Sequence, residues 1–144
     1  MIIETLLIGL IIGILYYEFI GISPGGVIAP AYFSLYIYYP QHILLTIFIS
    51  IFVYFKIKLL SSYTILFGKR RLLIAILLGF CLKYIFTQFI ININYPSLDL
   101  NFIGYIIPGL IANEMQKQKL SPTLLSIVIV TTLIYLIRII ILNI

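Results

Sequence analysis

The stretch Leu72-Leu73-Ile74-Ala75-Ile76-Leu77-Leu78-Gly79-Phe80-Cys81-Leu82-Lys83-Tyr84-Ile85-Phe86-Thr87-Gln88-Phe89-Ile90-Ile91 holds a single charged side chain, Lys83, in twenty residues. As a helix it rises about 30 Å, the thickness of a bilayer's hydrocarbon core. Runs of the same character recur at Thr5–Ile22, Ile43–Leu60 and Leu120–Ile144. Across all 144 residues, 63% are hydrophobic and 9% charged, against roughly 45–50% and 25% in average globular domains. A small soluble domain buries only about two thirds of its unfolded surface, so an apolar excess of this size requires lipid as solvent. The reading is an all-α, polytopic helical membrane protein with four clear spans. It forms one integral membrane domain over residues 1–144.

Between the spans lie two apolar segments interrupted by helix breakers. Gly21–Pro40 carries Pro24, Gly25, Gly26, Pro30 and Pro40, and Phe102–Ala112 carries Gly104, Pro108 and Gly109. Both are expected to be broken. The first span opens with Glu4 and leads into Pro24-Gly25-Gly26 rather than a small-residue cleavage site, so it reads as a retained helix and not a secretory signal. Set without gaps, residues 19–30 match residues 102–113 at six of twelve positions. Each copy lies between two long spans, so residues 1–60 and 72–144 read as half-repeats joined by a basic connection at 61–71. If both broken segments cross the membrane, each half has three crossings and the second half is inverted, a 3+3 inverted repeat with discontinuous helices. If they are re-entrant, four crossings remain. Six is the preferred count.

Charge placement supports this topology. Nine basic residues against four acidic ones give +5, a balance that in a soluble chain points to nucleic acid. Here five of the nine (Lys56, Lys58, Lys69, Arg70 and Arg71) fall in or beside the 61–71 connection, as expected of a cytoplasmic loop. With six crossings Lys117 and Lys119 lie on the same side. Nucleic acid is therefore not an expected partner; the lipid bilayer is.

Broken backbone at membrane depth must be buried in protein or line a wet cavity. Gly21, Pro24, Gly26, Pro30, Gly104, Pro108, Gly109 and Asn113 thus mark either a cavity or two kinks that let helices approach closely. Ionisable groups inside a span cost about 2.5–3.5 kcal/mol on insertion scales and normally have a partner or a function. Glu18 lies near the end of its span, within reach of water. Lys83 is deep. The two are expected either to pair or to face one polar cavity. No catalytic constellation accompanies them: the chain contains no GxxxxGK[ST] or HExxH sequence. One cysteine and one histidine, Cys81 and His42, make no metal-ligand set, so neither metal nor cofactor is expected.

Taken in order, Glu18, Gly21-Ile22-Ser23-Pro24-Gly25-Gly26-Val27-Ile28-Ala29-Pro30-Ala31-Tyr32, Ile65-Leu66-Phe67-Gly68-Lys69-Arg70-Arg71, Gly79 with Lys83, Ile107-Pro108-Gly109-Leu110-Ile111-Ala112-Asn113 and Gln116-Lys117-Gln118 closely resemble the PgsC/CapC family of poly-γ-glutamate synthesis. The resemblance covers almost the whole chain. The family favours Tyr-Gly-Arg-Arg where this chain has Phe67-Gly68-Lys69-Arg70, and a small residue in place of Gly25. These departures keep charge and size and put in doubt only a role for a tyrosine hydroxyl.

The resemblance implies a bacterial cytoplasmic-membrane subunit of a capsule or secreted-polymer synthase. In that family a separate, Mur-ligase-like ATP-dependent ligase forms the amide bonds, so the expected partners are that ligase and other membrane subunits of the complex; further copies of this chain are expected because 144 residues is little material for a polymer-wide pore. Lys69, Arg70, Arg71, Gln116, Lys117 and Gln118 are candidates for docking the ligase or the polyanionic product. Two other readings stay open. One is an autonomous inverted-repeat transporter or channel for anions. The other is an intramembrane acyl or aminoacyl transferase using Lys83 or Glu18.

Overall fold

The computed structural model describes residues 2–89 and 101–142. The expected polar connection between Asn92 and Asn101 falls outside them save for Asn101 itself. Among the described residues there are six helices and no strand: α1 (Ile2–Ile20), α2 (Ile28–Leu35), α3 (Pro40–Tyr63), α4 (Lys69–Phe89), α5 (Asn101–Gln118) and α6 (Leu120–Leu142). Helices α1, α3, α4 and α6 are each long and apolar enough to cross a membrane. Their outward residues, among them Leu7, Ile11, Leu77 and Val128, are exposed, as lipid-facing positions are.

Three boundaries differ from the sequence expectation. The connection expected at 61–71 shrinks to residues 64–68, because α3 continues to Tyr63 and Lys69 already opens α4. The hydroxyls of Ser61, Ser62 and Thr64 donate to the carbonyls of Lys58, Leu59 and Leu60 at 2.9, 2.6 and 3.0 Å, satisfying acceptors that a helix end leaves open. Second, Asn113–Lys119 is not a polar connection. The helix runs to Gln118, and Lys119 alone, at φ 72°, links α5 to α6.

The third difference concerns the two broken segments. Only the first is broken. Gly21, at φ +77°, ends α1, its N–H donating to Tyr17 O at 2.8 Å, and Gly25 and Gly26 also take positive φ before α2 begins. By contrast α5 runs unbroken through Pro108. A proline there removes one backbone donor and strands the carbonyl four residues earlier, which is that of Gly104. Another side chain takes that carbonyl, as described below.

The chain divides into two compact units, whose limits differ from those of the half-repeats expected at 1–60 and 72–144. One comprises residues up to Ile43 and from Glu114 onward; the other is Leu44–Asn113. In the first unit α1, α2 and α6 pack on one another. Thr5, Gly9 and Gly13 form the buried stripe of α1. A β-carbon on Gly9 would collide with Ala31, and one on Gly13 would come within 2.9 Å of Val27 Cγ1. Tyr16 donates to Ser126 Oγ at 3.3 Å, joining α1 to α6.

In the second unit Leu45, Ile49, Val53 and Ile57 of α3 share a core with Ala75 of α4 and Ala112 of α5. The buried stripe of α4 is Ala75, Gly79 and Lys83. A β-carbon on Gly79 would lie 2.7 Å from Gly109 N, and one on Gly109 would lie 2.5 Å from Ala75 O. Small residues thus let backbones approach closely in each unit. Ala31 and Gly109, the residues that Gly9 and Gly79 approach, each directly follow a proline, Pro30 and Pro108.

Candidate functional site

In the second unit, the signal to explain is a lysine deep in an apolar helix. Lys83 is buried. Its Nζ donates to Gly104 O at 2.6 Å and to Thr46 Oγ1 at 3.1 Å, and it stands 5.7 Å from the centroid of the Tyr105 ring. Gly104 O is the acceptor that Pro108 cannot serve. The ammonium therefore supplies the hydrogen bond that the proline removes, and the tyrosine face adds electrostatic stabilisation of the charge. Thr46, which the sequence reading did not single out, orients the amine from α3.

At the opening of α4, Arg71 Nε donates to Asn113 Oδ1 at 3.1 Å. Asn113 is buried, so this bond satisfies a side-chain acceptor removed from water. It also unites two sequence candidates placed in separate classes. Lys69 and Arg70, beside Arg71, are exposed.

In the first unit, the break between α1 and α2 is held by Gln118, the last residue of α5. Ser23 N donates to Gln118 Oε1 at 2.9 Å, and Gln118 Nε2 donates back to Ser23 O in a short bond. One amide side chain thus satisfies both backbone groups of a residue with no helical partner. Nε2 also reaches Thr123 Oγ1 at 3.3 Å, and Ser23 Oγ accepts from Gly26 N at 3.2 Å.

Beside this clamp opens a cavity of about 490 Å³ lined by Tyr17, Gly21, Ser23, Gly26, Val27, Glu114, Lys117 and Gln118. Its charged groups are one ion pair, Lys117 Nζ to Glu114 Oε1 at 3.1 Å. The structure therefore gathers Gly21, Gly26, Lys117 and Gln118 around one cavity, with Tyr17, Ser23 and Glu114 added. Pro24 and Pro30 are buried in the same unit, and Glu18 is exposed on α1. Gln118 is separated from Ser23 by 95 positions, so local pattern gives no signal for the clamp. The carbonyl stranded by Pro108, which the sequence reading did not single out, is the acceptor that Lys83 meets.

Long apolar helices in two compact units, each packed through small residues against a proline-bearing segment, define an α-helical membrane protein. The chain belongs to the family described as Capsule biosynthesis CapC, whose model matches residues 8–124. It is 34% identical over 120 residues to the PGA biosynthesis protein CapC of Bacillus subtilis (strain 168), covering 83% of this chain and 80% of that one. It is 33% identical over 121 residues to the Capsule biosynthesis protein CapC of Bacillus anthracis, covering 83% of this chain and 81% of the relative. No solved structure matches.

Proposed function

We propose that this protein is the membrane subunit of a bacterial poly-γ-glutamate synthase. It resides in the cytoplasmic membrane, anchors a Mur-ligase-like ATP-dependent amide ligase, and helps the polymer elongate or pass across the bilayer. The observation that carries the reading is the family match over residues 8–124, with relatives named for PGA and capsule biosynthesis. The sequence has no phosphate-cradling loop of the GxxxxGK[ST] kind, so in this reading carboxylate activation falls to the ligase. Exposed Lys69 and Arg70 offer a basic surface for an acidic ligase face or for the polyanion.

Lys83 enters this reading as a positioning residue, since its amine is engaged by Gly104 O and Thr46. The close approach of Gly9 to Ala31 and of Gly79 to Gly109 supports descent of the chain from two related halves.

The test is co-expression with the candidate ligase and purification through a tag on this chain. The preparation is then assayed for ATP- and glutamate-dependent γ-linked polymer. Co-purification of ligase, with polymer formed only when both proteins are present, is the expected result. A protein that purifies alone and leaves ligase activity unchanged overturns the reading and favours an autonomous anion transporter.

A further inference from the structure

The cavity beside the α1–α2 break combines features that a purely structural kink does not need. Its volume of about 490 Å³ lies within the range of small-ligand sites, about 300–1,000 Å³. Gln118 holds both backbone groups of Ser23 and the Ser23 hydroxyl holds Gly26 N, so this part of the cavity wall is pre-formed rather than assembled around a ligand. The Ser23 hydroxyl accepts from Gly26 N–H and keeps its own proton to donate. Tyr17 brings a phenol, and Lys117 an ammonium.

What Lys117 now holds indicates what it can accept. Its partner is a glutamate side-chain carboxylate, Glu114, at 3.1 Å. The side chain of Lys117 is 53% exposed and that of Glu114 18%. A pair this open to solvent contributes little, about 0.2–1 kcal/mol, so an incoming carboxylate can displace Glu114 at small cost.

We propose that this cavity binds a glutamyl carboxylate of a γ-linked chain, with Lys117 as the cationic anchor, Ser23 and Tyr17 as donors, and Glu114 as the internal carboxylate that the ligand displaces. The inference rests on the polymer reading for the choice of ligand; the site itself rests on the cavity and its ion pair. The headgroup of phosphatidylglycerol shares the negative charge of this ligand but not its carboxylate.

The experiment is equilibrium dialysis of the full chain, purified in neutral detergent, against a radiolabelled γ-linked glutamyl oligomer. Parallel arms contain the same oligomer with its α-carboxylates methyl-esterified, inorganic phosphate as competitor, and phosphatidylglycerol micelles as competitor. Salt-sensitive binding of the free acid and none of the ester are expected. Glu114→Gln removes the internal competitor and tightens binding about two- to fivefold. That gain cannot come from misfolding. Lys117→Gln weakens binding about tenfold.

Equal binding of acid and ester, or unchanged affinity in Glu114→Gln, overturns the proposal. So does complete displacement of the oligomer by equimolar inorganic phosphate, which makes the site a phosphate site, or by phosphatidylglycerol alone, which assigns it to a lipid headgroup. Oligomer binding without ligase co-purification would remove the synthase-subunit reading while leaving this site standing. Ligase co-purification without oligomer binding would do the reverse.

Discussion

Lys83 Nζ lies 2.6 Å from Gly104 O, the one carbonyl in α5 whose helical donor is replaced by the ring of Pro108. The lysine of one helix and the proline of another thus form a single device. The proline strands an acceptor, and the lysine, itself expensive at this depth, fills it.

This relationship makes a double-mutant prediction. Lys83→Met leaves Gly104 O without a donor and is expected to cost about 1–3 kcal/mol. Pro108→Ala restores an N–H four residues after Gly104, so Lys83→Met combined with Pro108→Ala is expected to recover part of that loss. Thermal inactivation in detergent, followed by size-exclusion chromatography, measures all three variants. Strictly additive losses would show that lysine and proline do not act on one carbonyl.

The glycines separate into two physical kinds. A β-carbon at Gly21 meets nothing within 4 Å, but φ is +77° there, so Gly21→Ala carries the left-handed penalty of about 1–2 kcal/mol. Gly21→Asn is expected to be milder, because asparagine tolerates that conformation. At Gly79 the obstacle is Gly109 N, 2.7 Å from the added carbon, and overpacking costs about 1–3 kcal/mol. Asparagine gives no relief at this position. Melting temperatures of the four variants test the ordering.

Gln118→Ala deprives Ser23 of partners for both its N–H and its C=O. Two lost bonds amount to about 1–3 kcal/mol of local opening free energy, so amide exchange at Ser23 should quicken by about five- to 150-fold. Exchange at Lys83 and its neighbours, in the other unit, should stay as it is. Hydrogen–deuterium exchange read by mass spectrometry resolves the two regions.

Arg71 bonds Asn113 through Nε, a donor that lysine lacks. Arg71→Lys is therefore expected to lose as much stability as Arg71→Ala, about 0.5–1.5 kcal/mol. A cycle with Asn113→Ala should return a coupling energy of the same size. Coupling near zero would mean the bond contributes nothing.

Read alone, the sequence determined the class of the protein. Four apolar runs, the helix breakers and the placement of Lys and Arg follow from local composition and periodicity, and those are the quantities that lipid solvent constrains. The break at Gly21–Gly26 was legible too, because consecutive glycines near prolines permit positive φ. Pro108 misled, since its effect on α5 depends on who takes the Gly104 carbonyl. The donor, Lys83, sits on a different helix. Likewise the Ser23–Gln118 clamp and the Arg71–Asn113 bond join residues 95 and 42 positions apart. Grouping α1 and α2 with α6, and α4 and much of α5 with most of α3, was likewise decided only in three dimensions. Hydropathy specifies that a segment is a helix in lipid, but every span satisfies that pattern equally. Which helices meet is set by where Gly9, Gly13, Gly79 and Gly109 permit close approach and by which stranded polar groups find each other.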